Sequence, residues 1–259
     1  MSSEVLVERD GALATITLNK PERMNALSLS MWEQLGAVAS ELDADEALRC
    51  VVIRGAGDKA FAAGADIAAF ATERANSAQA GAYGARISDA MRQLASCRHP
   101  VVALIQGACV GGGLLVAAQA DLRICGDSAR FGVPVKNLGL VEAYDELAGM
   151  MRVVGRAASL EILLEGRIWT AREAYEKGLV NRVVPDGEVV AEAYATARRI
   201  AEGAPLAARW HKKFVNRLAD PRPLTPEEFA ESYACFDTED YREGVAAFLA
   251  KRKPAFRGR

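Results

Sequence analysis

Histidine is almost absent from this chain, which carries two, His99 and His211, in 259 residues. Neither stands in an HExxH pattern, so a helical zinc centre and a histidine-based nucleophilic triad are both poorly served. Cysteine is sparse as well. Cys50, Cys97, Cys109, Cys125 and Cys235 are odd in number, scattered and mostly inside apolar segments, which predicts reduced buried thiols and neither disulfides nor a CxxC metal site. No sign of charge dominates: 32 Lys and Arg stand against 34 Asp and Glu, mixed along the chain. That balance leaves no electrostatic footprint for nucleic acid or an anionic membrane, and neither is expected as a partner. No uncharged apolar run reaches about 18 residues, and the first residues lack the basic-then-apolar order of a signal peptide, so a soluble cytoplasmic protein is expected. What the chain has is apolar mass, 51% of its residues, enough for a sizeable core.

Composition changes three times within residues 101–125. Val101-Val102-Ala103-Leu104-Ile105 reads as a buried strand, residues 106–113 hold four glycines, and 114–120 reads as a short apolar helix. Glycines where a helix begins leave backbone N–H groups bare and let a ligand approach the main chain, which suits a developing negative charge. The alternative is a tight strand-to-helix connection with glycines for steric reasons alone. Gly107, Gly111, Gly112 and Gly113 do not form GxGxxG, and no Gly-Lys-Ser/Thr follows, so a nucleotide phosphate is not the favoured anion.

Elsewhere the chain alternates strands and helices. Segments 5–9 and 13–18 flank Asp10-Gly11 and predict a hairpin. Residues 20–25 read as loop, and Ser30-Met31-Trp32-Glu33 as a capping box at or near the start of a helix reaching about Asp43. Further strands are expected at 50–54, 122–125, 130–133 and 179–184. A long helix is expected over 77–97, and a capped one from Thr170 to Gly178. Beyond about Glu188 everything reads as helical, with Thr225-Pro226-Glu227-Glu228 combining a cap, an N1 proline and a capping-box glutamate. The pattern predicts an α/β core over 1–200 and a helical region over 201–259. In the latter, Phe229, Tyr233, Phe236, Tyr241 and Phe248 either pack on another subunit or fold back on their own domain.

Several segments in order resemble the crotonase, or enoyl-CoA hydratase/isomerase, superfamily. They are Asn25-Ala26-Leu27, Phe61-Ala62-Ala63-Gly64-Ala65-Asp66-Ile67, residues 100–113, Asp121, Phe131-Gly132, Gly155, Gly178-Leu179-Val180 and residues 241–256. The resemblance implies a spiral of ββα units with a C-terminal helical trimerisation region, and a homotrimer or homohexamer. It also implies an acyl-CoA substrate, with coenzyme A part of that substrate and no separate cofactor or metal. In the family the thioester oxygen is held by two backbone N–H groups, and the matching positions are Ala65 and Gly112. Ala63, Asp66 and Ile67, with Met24 and Ala26, match the CoA-binding surface. Val110, Gly111, Leu115, Pro134 and Val135 complete the expected substrate-binding residues. Lys251 matches a basic residue that approaches CoA phosphate from a neighbouring subunit, or is a solvated helix end.

The sequence departs from the family where hydratases carry two water-activating glutamates. Leu115 and Val135 stand there, and an aliphatic side chain can neither orient water nor move a proton. The position used by the isomerases is Ala143, and Asp66 replaces the histidine of decarboxylating and hydrolytic members. Glu142 falls where naphthoate synthases carry an aspartate, with Asp145 as a second candidate acid. With Glu146, these two could instead form a solvated face or cap the following helix. The implied activity is a non-standard lyase or isomerase that stabilises an enolate, with Glu142 or Asp145 moving the proton. The alternatives are a non-catalytic acyl-CoA-binding protein and a decarboxylase or hydrolase.

Overall fold

A hairpin opens the fold, with β1 (Val5–Asp10) and β2 (Leu13–Leu18) pairing antiparallel around Gly11, whose φ is 58°. The computed structural model describes residues 3–259. Helix α1 (Leu29–Ala44) follows, capped by Ser28, which accepts from the Met31 N–H at 3.1 Å. The cap therefore lies two residues before the expected Ser30, whose hydroxyl instead accepts from the Gln34 side chain one turn on.

Three successive units then repeat one plan. The first is β3 (Cys50–Gly55), β4 (Ala60–Ala62), the short α2 (Phe70–Glu73) and α3 (Ser77–Ser96). The second is β5 (Val101–Ile105), β6 (Ala108–Val110) and α4 (Gly112–Ala117), and the third is β7 (Leu122–Gly126), β8 (Arg130–Gly132) and α5 (Tyr144–Glu165), kinked at Gly155. Next come β9 (Trp169–Thr170), α6 (Ala171–Glu176), β10 (Arg182–Val184) and α7 (Val189–Ala201). Finally come α8 (Pro205–Leu218), α9 (Pro226–Glu231) and α10 (Glu239–Leu249).

Each unit places its first strand in a six-stranded sheet ordered β1-β2-β3-β5-β7-β10 and its second in a four-stranded sheet ordered β4-β6-β8-β9. Within the large sheet all pairs after the hairpin are parallel. Its central strands are buried on both faces, so period-2 alternation divides their side chains between two apolar clusters. Val51, Ile53, Val101, Ala103 and Ile105 face the larger cluster with α1 and α3, while Cys50, Val52, Val102 and Leu104 face α7. The larger cluster draws on residues up to Val183 and the smaller on residues up to Ala201, and α8 to α10 add nothing to either.

Three local expectations change. The stretch expected to be wholly a glycine turn contains strand β6, because Ala108 to Val110 pair with β4 and β8. The helix after it begins at Gly112 and ends at Ala117, short of the expected Ala120. Leu179 and Val180 lie outside β10 because both donate to the Ala174 carbonyl and close the end of α6. The Thr170 and Thr225 capping boxes form as expected. All five cysteines are free and four are buried, with burial pushing the Cys50 and Cys125 thiols up to about 12. No described helix is long and apolar enough to cross a membrane.

Candidate active site

Two backbone segments meet beyond the small sheet, and each is fixed by hydrogen bonds made away from the space between them. Met24 and Asn25 both adopt positive φ. Asn25, 1% exposed, holds that turn by accepting from the Lys20 N–H at 3.0 Å and donating to the Ala56 and Ala60 carbonyls at 3.0 and 2.8 Å. The turn then grips the segment after β4. Ala63 N–H donates to the Met24 carbonyl, Leu27 N–H to Gly64 and Asp66 N–H to Leu27, at 3.0, 2.8 and 3.1 Å. In this bridge Ala65 lies opposite Leu27 with its N–H turned away, and that N–H finds no acceptor among the described residues.

The second segment is the glycine run. Gly111 has φ 52° and ψ −126°, a conformation open only to glycine, and its N–H donates to the Gly132 carbonyl at 2.8 Å. The reversal at Gly111 leaves the Gly112 N–H as the first of α4, again without an acceptor among the described residues. Gly113 allows the close approach, since a Cβ there would lie 2.3 Å from the Ala62 carbonyl oxygen.

These groups line one cavity of about 380 Å³. Of the sequence-expected residues, the structure brings Ala63, Ala65, Ile67, Val110, Gly111, Gly112, Leu115, Pro134, Val135 and Glu142 to its wall. Trp32, Phe70, Ile87 and Met91 add apolar surface. Met24, Ala26 and Asp66 do not line the cavity: the Met24 carbonyl accepts from the Ala63 N–H of the wall, and Asp66 forms ion pairs with Lys20 and Arg23. Lys251 is exposed just beyond α10 and lines no part of the cavity. A larger cavity of about 950 Å³ under α8 and α9 holds none of the expected residues.

The acids separate sharply. Asp145 is exposed and absent from the cavity wall, which corrects its placement as a candidate acid, because the first turn of α5 directs it outward. The acid missed in the sequence is Glu146. It is 7% exposed, lines the cavity, and accepts from the Ala143 N–H at 2.6 Å. Its only sequence signal was its place in the run of acids. Glu142 is half-buried beside it. Burial pushes the Glu142 carboxyl up to about 8, repulsion from Glu146 and a hydrogen bond with it add to the rise, and Arg74 opposes both. Arg74, also missed, lines the cavity with its guanidinium 3.8 Å from the Tyr83 ring centroid and 4.5 Å from that of Phe70. In the sequence it was one basic residue of an unremarked loop. Among the described residues no cluster of three or more His, Cys, Asp or Glu is placed to hold a metal ion.

The model of the family described as "Enoyl-CoA hydratase/isomerase" matches residues 8–259. A solved structure from Magnetospirillum magneticum, described as an enoyl-CoA hydratase/carnithine racemase, superposes with a TM-score of 0.98 at 52% identity, over 100% of this chain and 97% of that one. The short-chain-enoyl-CoA hydratase of Clostridium acetobutylicum is 32% identical over 97% of this chain and 96% of its own length. The crotonyl-CoA hydratase of Syntrophomonas wolfei is also 32% identical, over 97% of each.

Proposed function

The chain belongs to the enoyl-CoA hydratase/isomerase family, and from that premise we propose that it is an acyl-CoA lyase or isomerase working through an enolate. The thioester oxygen accepts from the Ala65 and Gly112 N–H groups, whose orientation is fixed by neighbouring bonds before any ligand arrives. Removing a proton next to the thioester carbonyl places negative charge on that oxygen, and two preorganised donors in an apolar cavity favour the charge. Coenzyme A enters as part of the substrate, with the Met24 to Ala26 turn and the Ala63 to Ile67 segment as its surface.

Glu142 carries the proton. The observation that supports this role is a carboxyl held up to about 8 in the same cavity as the two unpartnered N–H groups. A group poised near neutrality can take a proton from carbon and return it, whereas an ordinary carboxylate is a weak base. Leu115 and Val135, both on the cavity wall, have no such capacity. A binding protein without chemistry has no use for a desolvated acid at this place.

The test is deuterium exchange into a bound, saturated acyl-CoA, followed by mass spectrometry. Exchange at the carbon next to the thioester is expected. Tight binding with no exchange would replace the enzyme reading with that of a carrier.

A further inference from the structure

Arg74 brings a permanent positive charge to a cavity whose remaining wall is mainly apolar. It forms no ion pair with any acid among the described residues, including its neighbour Glu73, and its buried Nε has no hydrogen-bond partner. Its guanidinium rests against Phe70 and Tyr83, so its plane is held while no carboxylate of the chain pairs with it. The nearby acids are otherwise engaged. Asp66 pairs with Arg23 and Lys20, and Glu146 accepts from Ala143. Glu142 shares the cavity wall with Arg74 but makes no ion pair with it.

A half-buried guanidinium with no carboxylate partner is an incomplete ion pair, and a planar carboxylate completes it through two parallel hydrogen bonds. We propose that Arg74 selects an acyl group ending in a carboxylate, so that the preferred ligand is the mono-CoA thioester of a short dicarboxylic acid. This rests on the cavity being the acyl site of a CoA thioester. It goes further by assigning the acyl class and the residue that reads it. An alkyl acyl chain would leave Arg74 desolvated and unpaired, a cost that a carboxylate removes.

The experiment is calorimetric titration with matched pairs in which a carboxyl replaces the terminal methyl: succinyl- against butyryl-CoA, glutaryl- against valeryl-CoA, and adipyl- against hexanoyl-CoA. In the wild type the carboxylated member of at least one pair is expected to bind about tenfold or more tightly than its alkyl partner. Arg74→Met should abolish that ratio by weakening the carboxylated member and strengthening the alkyl one, which no longer desolvates a charge, and Arg74→Lys should keep part of it. A folding defect would weaken both members of a pair and leave their ratio unmoved, so the ratio isolates recognition. Equal binding within every pair, or a preference that survives Arg74→Met, overturns the assignment of Arg74 and leaves the acyl-CoA reading standing. Failure of all six thioesters to bind would bring down the acyl-CoA reading itself.

Discussion

Glu142 and Asp145 lie three residues apart in the same acidic run, and their surroundings divide them. The half-buried carboxyl in the cavity is raised to about 8, while the exposed one lines no part of it. Glu142→Gln keeps the shape and removes the proton carrier, so proton exchange from a bound acyl-CoA should fall at least about a hundredfold with affinity little changed. Asp145→Asn should leave exchange at the wild-type rate. If Glu142→Gln also leaves it there, Glu142 is not the carrier. The same carboxyl predicts a stability effect. Its folded value lies above the ordinary 4.5, so the folded state binds the extra proton between about 4.5 and 8. Stability from this group is full below that window and is lost as pH rises through it. Melting curves should show Glu142→Gln gaining on the wild type between pH 5 and 9, and a constant difference would count against the raised value.

At the scale of elements, the site depends on α4 starting directly after a reversed glycine. Gly112 is the first residue of that helix, where proline is tolerated because the N–H has no helical partner. A Cβ at Gly112 meets Leu27 Cδ1 at 3.1 Å and Trp32 at 3.2 Å, so Gly112→Ala and Gly112→Pro share this crowding, while only proline deletes the donor. The ratio of their turnovers contains the lost N–H together with the restriction proline places on Gly111, and should be at least about a hundredfold, since one oxyanion donor is worth about 2.7–4 kcal/mol. Equal turnover would mean that the thioester oxygen lies elsewhere. Gly113 serves the packing of α4 on β4. Its substitution by alanine drives a Cβ against the Ala62 carbonyl, and backbone cannot yield as a side chain can. Gly113→Ala should lower chemical stability by about 1–3 kcal/mol in denaturant titration.

For the whole molecule, the C-terminal region from α8 to α10 leaves large apolar side chains in the open, among them Phe229, Tyr233 and Phe248, the last 83% exposed. Isolated chains seldom leave so many large apolar groups uncovered. A homotrimer or homohexamer is the expected state in light scattering after gel filtration, and Phe248→Glu should shift it toward smaller species. A wild-type monomer would refute that expectation. The complete cavity also sets the expected activity. Hydration of crotonyl-CoA, followed by loss of enoyl absorbance, should be slower by several orders of magnitude than in an enzyme with both glutamates, since each acid–base group contributes roughly a hundred- to ten-thousandfold. Turnover at ordinary hydratase rates would show that another group replaces both glutamates.

The sequence by itself determined the order of strands and helices that builds the architecture. Alternation around Asp10-Gly11, the uninterrupted apolar run 101–105 and the capping boxes at Thr170 and Thr225 are local signals, and each produced its element. The small-residue segments around Ala65 and Gly112 were legible as places where a ligand can approach the main chain, and their role as a pair of donors came from the resemblance to the family. β6 and β9 were not legible, since two or three residues become strand only when a neighbour supplies the ladder. The acids and Arg74 were decided by tertiary structure alone. Whether a carboxyl in an acidic run titrates ordinarily or near 8 depends on desolvation and on which charges the fold brings beside it. Arg74 becomes notable only because α2 and α3 hold it over two rings on the wall of an apolar cavity, at a distance from Glu142 that no sequence spacing encodes.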